Sequence, residues 1–442
     1  MPFHCRECGY QSPKWLGRCP GCGKWETFEE ASGPSPAGGT ASGDPPRRLA
    51  DVPALSGERL VTGMPEVDRV LGGLLPGTVV LFGGEPGVGK STLLLQLASR
   101  LAARHGKVLY VSGEEAVAQV KLRADRLGIS DAMLYVQAEQ ELLAIVRAVE
   151  AIEPAVLVVD SLQTVLARPE GGEIGSVAQV REAAAQLARL AKGLGIVTFL
   201  VSHITKGGEF AGPKTVEHLV DAAVQLEGVR EGDLRLLRCL KNRFGSTAEV
   251  AVLQMGPTGL TEVPNPSLFF VSQDRVPKPG AAIVPVLEGS RTLLVEIQAL
   301  IAPGSGFGPP QRRTAGLDLN RTSVLLAVIE KYLGVHVRAM DVYLAVAGGL
   351  EVREPAADLG VCAAILGSVR GRPIASDTVL LGEVGLSGEI RPVRKGPERL
   401  REVAKLGFGR AVAPKGPLPK RLSLEVVQAQ SLQEAMEALE LT

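Results

Sequence analysis

The stretch GEPGVGKS, residues 84–91, is typical of a loop that binds the phosphates of a nucleotide. It fits the pattern G-x4-G-K-S/T, and it lies between the apolar run VVLFGG and the amphipathic run TLLLQLASRLAARHG. Glycines let such a loop wrap closely around phosphates, and the N–H groups at the start of the following helix face their negative charge. The sequence therefore predicts a strand, a phosphate loop and a helix in succession.

The side chains of this loop have separate predicted roles. Lys90 would reach the β- and γ-phosphates, and the hydroxyl of Ser91 would ligate Mg²⁺. A further carboxylate for the metal is expected where another buried strand ends, and AVLVVDS places Asp160 there as a Walker B aspartate. The alternative is that Asp160 caps a helix. The predicted ATP-binding residues are Gly84, Glu85, Pro86, Gly87, Val88, Gly89, Lys90, Ser91 and Thr92.

The segments around the loop predict an α/β fold. Short apolar runs alternate with amphipathic runs from VVLFGG to IVTFLVSH, which indicates crossover units around a parallel sheet. Beyond them AAVQLEG, LRLLRCLKNRF and AEVAVLQM are separated only by turns, as antiparallel strands are.

Two further strand ends carry candidate catalytic groups. VLYVSGEE places Glu114 and Glu115 just beyond a strand, at the edge of the sheet where ligands bind. We expect Glu114 to act on the attacking water and Glu115 to begin the next helix. His203, at the end of IVTFLVSH, is either a phosphate sensor or a structural histidine.

The strand ending in LKNRFG carries Lys241 and Arg243, two residues apart and therefore on one face. A neighbouring subunit could use these cations as fingers on the γ-phosphate of its partner. The alternative is an edge strand that its basic residues protect from pairing.

Four of the six cysteines lie in the first 22 residues, in the turns CRECG and CPGCG. Two such turns can supply a tetrahedral shell of thiolates that suits structural Zn²⁺, with Cys5, Cys8, Cys19 and Cys22 as ligands. A redox pair is the alternative. Cys239 and Cys362 lie in apolar runs and are expected to be core residues.

Length and composition limit the remaining possibilities. A chain of 442 residues should form two or three domains, on a prior of roughly 150 residues each. Because 48 basic residues balance 48 acidic ones, net charge gives no indication of nucleic acid, and 4% aromatic residues weigh against an extended base-stacking platform. We find no secretory signal and no apolar run of the ~20 residues that span a bilayer, so a reducing, cytoplasmic setting is expected.

The predicted domain boundaries follow composition. Residues 1–30 would form the zinc module and residues 31–50, rich in Gly, Pro, Ser and Ala, a flexible linker. Residues 51–265 would form the ATPase domain. Four prolines between residues 264 and 279 mark a second boundary, and residues 266–442 mix strands and helices as a separate α+β unit.

The four-cysteine head, GEPGVGKS, VSGEE, VVDSLQTV, KNRFG and the C-terminal tail together resemble the RadA (Sms) family of bacterial DNA repair proteins. The resemblance implies a hexameric ring of RecA-like P-loop ATPase cores that moves on single-stranded DNA. It implies a role in homologous recombination with the RecA recombinase, extending heteroduplex and processing branched DNA. It favours the finger interpretation of Lys241 and Arg243, and it implies that Lys206 and Lys214 of KGGEFAGPK contact DNA in the ring channel.

The tail is similar to the domain of Lon protease, but the matching stretch AADLGVCAA has Asp358 in the position of the nucleophilic serine. Pro397 stands in the position of the catalytic lysine, with Lys395 nearby. A carboxylate cannot act as that nucleophile, so we expect a non-proteolytic assembly domain. Arg312 and Arg313 are weaker candidates for DNA contacts.

The leading hypothesis is a DNA-dependent ATPase and helicase that uses Mg²⁺-ATP to translocate on single-stranded DNA. The alternative is a DNA-binding mediator or scaffold that ATP switches without translocation. The sequence does not indicate the polarity of movement, the partner of the zinc module, the resting oligomeric state or the preferred branched substrate.

Overall fold

A computed structural model describes residues 3–5, 11–12, 14–20, 24–30, 48, 50, 59–167, 174–203, 214–229, 232–272, 274, 276–304 and 309–442. The chain divides into two compact units, Met1–Ser56 and Gly57–Thr442. The predicted linker therefore lies almost entirely outside the described residues. The predicted boundary near residue 265 falls inside the second unit and stays a prediction.

The first unit contains a small antiparallel sheet with the order β2-β1-β3. Its strands are β1 (Phe3–Cys5), β2 (Gln11–Ser12) and β3 (Phe28–Glu30). A separate bridge pairs Arg18 with Trp25. Among the described residues of this unit, the buried Cys19 packs with the partly buried Phe3 and Leu16 in a small core.

The second unit begins with a mixed sheet, whose order among the described residues is β12-β11-β10-β9-β4-β8-β7-β5-β6. The parallel strands are β4 (Val79–Gly84), β5 (Val108–Ser112), β6 (Leu134–Ala138), β7 (Val156–Asp160), β8 (Val197–His203) and β9 (Ala222–Gly228). The antiparallel extension consists of β10 (Leu234–Asn242), β11 (Val250–Gly256) and β12 (Gly259–Glu262). The structure thus confirms the α/β fold class. It also has the predicted antiparallel strands after the parallel part of the sheet.

Helices cover both faces of this sheet. They are α1 (Pro65–Leu71), α2 (Lys90–His105), α3 (Val117–Arg126), α4 (Leu142–Ile152), α5 (Val177–Leu194) and α6 (Lys214–Leu219). Side chains alternate along each strand, so Val80 and Phe82 of β4 pack in one core while Val79 and Leu81 pack in the other. Burial on both faces explains why these strands are continuous apolar runs in the sequence.

A second sheet with the order β15-β16-β14-β13-β17-β20-β21 follows. Its strands are β13 (Ala281–Glu288), β14 (Arg291–Pro303), β15 (Arg312–Ala315), β16 (Met340–Val346), β17 (Thr378–Leu380), β20 (Arg410–Pro414) and β21 (Glu425–Ala429), and β18 (Glu383–Val384) pairs with β19 (Ile390–Arg391) apart from it. The helices of this part are α7 (Ser267–Phe270), α8 (Leu319–Leu333), α9 (Asp358–Arg370), α10 (Gly396–Lys405) and α11 (Leu432–Ala438).

The two sheets share one hydrophobic core. Leu236 of β10 and Val252 of β11 belong to the same buried cluster as Val284 of β13 and Val295 of β14. Two ion pairs extend this contact, since Arg238 pairs with Glu288 and Arg291 with Glu66 at 2.6 Å. The C-terminal part therefore packs on the antiparallel strands of the first sheet.

Within the described part of the chain, no helix is both long enough and apolar enough to cross a membrane.

Candidate nucleotide-binding site

The phosphate loop lies where β4 ends and α2 begins, as the sequence predicts. Gly84 must be a glycine, because a Cβ there would lie 2.6 Å from the carbonyl oxygen of Leu226 on β9. Gly87 and Gly89 have positive φ angles of 77° and 111°. A residue with a side chain would be strained in this conformation, whereas glycine adopts it readily. The glycines thus give this loop a conformation that brings its N–H groups to the start of a 16-residue helix.

Lys90, the first residue of α2, is 5% exposed. Its ammonium Nζ donates to the carbonyl oxygens of Gly84 at 2.8 Å and Glu85 at 3.0 Å. Burial lowers the pKa of Lys90, while the carboxylates of Asp160 and Glu114 act to raise it. The side chain therefore lies across the loop, within the electrostatic reach of both predicted acidic residues.

Asp160 ends β7, two strands away from β4, and is partly buried. The hydroxyl of Tyr110 on β5 donates to its Oδ2 at 2.6 Å. Burial, and secondarily Asp160 itself, raises the pKa of Tyr110 well above its ordinary value, so the phenol remains a donor. Tyr110 therefore orients the Asp160 carboxylate, a role that the sequence did not suggest.

Glu114 follows β5 and meets the chain after β7. The Ser161 hydroxyl donates to its Oε1 at 2.6 Å. The preceding turn packs tightly, because a Cβ on Gly113 would lie 1.9 Å from the Thr164 hydroxyl oxygen. These contacts bring Glu114 and Asp160 to adjacent strand ends, where Ser112 of β5 pairs with Asp160 of β7.

Glu115 differs from Glu114 in its surroundings. The helix α3 begins only at Val117, two residues beyond Glu115, so the expectation that Glu115 starts the helix is wrong by two positions. Its carboxylate pairs with Arg123, and its N–H donates to the Ser112 hydroxyl at 2.9 Å. The structure thus gives Glu115 an ion pair on α3, while Glu114 lies close to Lys90.

Two predicted residues are described only by their backbones, and a third lies outside the described residues. His203 ends β8, where its backbone pairs with Gly84, but its side chain lies outside the described part. Lys206 lies outside the described residues altogether, and Lys214 begins α6 without a described side chain. Their predicted roles in sensing phosphate and contacting DNA remain predictions.

Lys241 lies on β10, beside the end of α6. Its Nζ donates to the carbonyl oxygens of Glu217 at 2.6 Å and Val220 at 2.9 Å. Burial lowers the pKa of Lys241, and the neighbouring Arg243 lowers it further. β10 is an interior strand of the described sheet, between β9 and β11, so the edge-strand alternative does not apply.

A contact that sequence reasoning missed holds the phosphate loop from β10. Arg235 donates from Nε to the carbonyl oxygen of Val88 at 3.0 Å, across 147 residues of sequence. Its Nη1 also donates to the carbonyl oxygen of Leu234 at 2.8 Å, which fixes the guanidinium. Arg235 therefore ties the loop to the antiparallel extension.

The predicted magnesium ligands carry suitable donor atoms. Ser91 and Asp160 offer hydroxyl and carboxylate oxygens, which Mg²⁺ prefers, and Tyr110 already orients one Asp160 oxygen. In the first unit, Cys19 is 1% exposed at the start of a tight turn, where its N–H bonds to the Lys24 carbonyl at 2.9 Å. The side chains of Cys5, Cys8 and Cys22 lie outside the described part, so the zinc shell itself stays a prediction.

The remaining cysteines are core residues, as predicted. Cys239 and Cys362 are 6% and 0% exposed, and burial raises the pKa of both thiols.

Asp358, the residue that the sequence analysis aligned with the Lon serine, forms an ion pair with Arg321. Asp358, 3% exposed at the start of α9, accepts hydrogen bonds from Arg321 and, at 3.1 Å, from the N–H of Val384. Arg321 also donates to the Val384 carbonyl at 2.8 Å. Lys395 precedes α10 in a left-handed conformation, and Pro397 lies in its first turn. Asp358 thus serves as an anchor between α8, α9 and β18.

Comparison with known proteins agrees with this architecture. Residues 45–209 match the family described as AAA domain, and residues 3–30 match the rubredoxin metal binding domain. The phosphate loop lies at the carboxyl edge of a parallel sheet, and the metal-binding domain precedes it in the sequence. These features define the protein as a RecA-like P-loop ATPase with an N-terminal zinc ribbon.

Full-length relatives specify the family. DNA repair protein RadA of Halalkalibacterium halodurans is 44% identical over 98% of this chain and 97% of its own length, and that of Bacillus subtilis matches to the same extent. RadA of Streptococcus pyogenes is 47% identical over 94% of this chain and 93% of its own. The chain therefore belongs to the RadA family of DNA repair proteins.

Among solved structures, a KaiC-like protein from Pyrococcus horikoshii matches 47% of this chain and 99% of its own at 22% identity and a TM-score of 0.40. This likeness is too weak to add to the family assignment.

Proposed function

We propose that this protein is a DNA-dependent ATPase that translocates on single-stranded DNA as a hexameric ring. Its role would be to extend heteroduplex and process branched intermediates in homologous recombination, together with the RecA recombinase. The observation that carries the proposal is the convergence of Lys90, Asp160 and Glu114 at one edge of the sheet. We propose DNA as the substrate because the chain belongs to a family of DNA repair proteins.

The chemistry proposed for this edge is hydrolysis of the γ-phosphate. Glu114 accepts a proton from the attacking water as the water oxygen bonds to the γ-phosphorus and the bond to the bridging oxygen breaks. Ser161, which donates to Glu114 Oε1, holds that carboxylate in place. Lys90 exchanges its bonds to the loop carbonyls for the phosphate oxygens. Ser91 and Asp160 would hold Mg²⁺, which neutralises phosphate charge when bound.

The finger residues connect hydrolysis to movement. Arg243 and Lys241 would act on the γ-phosphate of the adjacent protomer. Lys241 also bonds to carbonyls at the end of α6, the helix that follows the predicted DNA-facing segment from Lys206 to Lys214. A change at Lys241 when the phosphate leaves would therefore reach this segment through α6.

The flanking parts have supporting roles in this proposal. The zinc ribbon would be a structural module, because a closed shell of four thiolates leaves no position for catalysis. The C-terminal domain is Lon-like and non-proteolytic, because Asp358 is buried in its pair with Arg321 and cannot act as a Ser-Lys nucleophile. Its firm packing against β10 and β11 suits a ring-forming element.

Unwinding of a forked duplex, tested with overhangs of each polarity, separates this proposal from its alternative. A translocating motor separates the strands in the presence of ATP with one polarity preferred. DNA-stimulated hydrolysis without strand separation from either overhang would instead support a DNA-binding mediator that ATP switches. A matched Glu114→Gln variant controls for contaminating helicases, because it keeps the hydrogen bond with Ser161 while losing the base.

A further inference from the structure

Both tryptophans of the chain lie in the first unit, and both are exposed to solvent. Trp15 is 52% exposed and Trp25 is 70% exposed. In the described part of that unit, the core contains Cys19, Phe3 and Leu16. The two largest apolar side chains of the module are thus outside its core, where indole rings serve recognition more often than stability.

The backbone holds the two rings in one patch. Arg18 and Trp25 pair directly across an antiparallel bridge, and the N–H of Glu26 bonds to the Gly17 carbonyl at 2.8 Å. Directly opposed residues project to the same side, whereas the next residue, Cys19, points inward. Rings of Trp15 and Trp25 come within 3.7 and 3.8 Å of the position that a Gly17 Cβ would occupy. Both rings therefore lie beside Gly17 and close to each other.

The patch is basic as well as aromatic. Residues 14–26 include the three basic residues Lys14, Arg18 and Lys24 and one acidic residue, the exposed Glu26. All three basic residues are exposed, and the Arg18 guanidinium lies 5.9 Å from the centre of the Trp25 ring. That distance is within the range of a cation–π interaction.

We propose that Trp15 and Trp25, with these three cations, form a stacking platform for unpaired bases of single-stranded nucleic acid. Aromatic rings bind the faces of any base, and nearby cations bind the backbone phosphates. Tryptophan and arginine are enriched at protein interfaces as well, but lysine is depleted there, so the two lysines favour backbone phosphates as the partner. The platform would be a second contact with the strand, outside the ATPase core.

This assignment is compatible with the expectation from composition. A chain with 4% aromatic residues lacks an extended stacking surface, but two rings in one small module suffice for a local one. Such a contact could hold a strand end or a displaced strand while the core acts on another segment of it.

The two tryptophans provide their own probe, because the chain has no others. Indole fluorescence of the full-length protein, excited where tyrosine does not absorb, reports on this module alone. The titrant is an oligothymidylate longer than the site size of a single-strand binding fold, roughly 4–16 nucleotides. The matched control is an oligonucleotide of equal length made of abasic sites, which keeps the phosphates and lacks the bases. We expect the oligothymidylate to quench the fluorescence and the abasic strand to quench it much less.

Fluorescence anisotropy of an end-labelled oligothymidylate measures binding by the whole protein in the same solutions. Anisotropy that rises to saturation with no change in indole fluorescence would overturn the platform, while leaving the proposed DNA-binding core intact. Equal quenching by both strands would also overturn it. If only an added protein partner quenches the indoles, the surface is a protein-docking site and this assignment is wrong.

Variants test the role of the rings. Loss of base stacking weakens binding by on the order of tenfold per ring, so Trp15→Leu with Trp25→Leu should lower the affinity measured by anisotropy. Trp15→Phe with Trp25→Phe should restore most of it, because phenylalanine also stacks. Zinc content and circular dichroism should match between the two double variants. An affinity that is equal in both would contradict the proposal.

Discussion

Arg243 and Asp221 are joined at two points. The N–H of Arg243 donates to the Asp221 carbonyl at 2.9 Å, and its guanidinium Nη1 donates to Asp221 Oδ1 at 3.1 Å. The Asp221 side chain is 4% exposed, whereas that of Arg243 is 50% exposed. Asp221 thus holds the backbone and one guanidinium nitrogen of Arg243, while the other guanidinium N–H groups remain accessible to another protomer.

We therefore expect Arg243→Ala to lower kcat for ATP hydrolysis by roughly 10³-fold, as the loss of an arginine finger does, with little change in nucleotide binding. Steady-state kinetics and equilibrium binding of ATP check this result. Lys192→Ala is the matched control, since Lys192 is also 50% exposed and lies 3.6 Å from the same Asp221 oxygen. If both variants lose activity equally, the effect comes from Asp221 and the finger role is contradicted.

Lys241 should couple hydrolysis to DNA. Removal of its ammonium by Lys241→Met leaves the carbonyl oxygens of Glu217 and Val220 at the end of α6 without that donor, at a cost of about 1 kcal/mol each. We expect a greater loss of DNA-stimulated than of basal ATP hydrolysis. The measurement compares both rates with those of Arg243→Ala, for which the two should fall together. A uniform loss in Lys241→Met would mean that it acts only on phosphate.

Arg235 should position the phosphate loop through its bond to the Val88 carbonyl. Arg235→Ala is expected to raise KM for ATP roughly tenfold, corresponding to about 1.5 kcal/mol, with a smaller effect on kcat. Arg235→Lys should recover part of the loss. The control is Arg238→Ala on the same strand, whose bonds go to Glu227 and Glu288. An unchanged KM in Arg235→Ala would show that the loop keeps its conformation without this contact.

Asp358 should be a structural residue. Asp358→Ala leaves the partly exposed Arg321 without its carboxylate partner and should lower the free energy of unfolding by about 2 kcal/mol. The double variant Asp358→Leu with Arg321→Met should be less destabilised than the sum of the single changes. Denaturant unfolding of all variants measures this coupling, and strictly additive effects would show that the ion pair does not stabilise the domain.

The sequence predicts those features that depend on local pattern. The phosphate loop, the strand ends of Asp160 and Glu114 and the α/β alternation follow from spacing, because the carboxyl ends of parallel strands meet at one edge. Contacts between residues that are far apart in the sequence could not be predicted in this way. Arg235 meets Val88 only because β10 folds back beside β9, and Lys241 meets α6 only because β10 passes its end. The overall composition does not reveal the tryptophan patch, because it averages over 442 residues while both tryptophans lie in one small module.

The most direct test of the central claim compares wild type with Lys90→Ala in ATP hydrolysis and forked-duplex unwinding, each with and without single-stranded DNA. We predict that wild-type hydrolysis rises with single-stranded DNA. Lys90→Ala should abolish both hydrolysis and unwinding while the mass of the assembly and its fold stay the same. Unwinding that persists in Lys90→Ala would contradict the account.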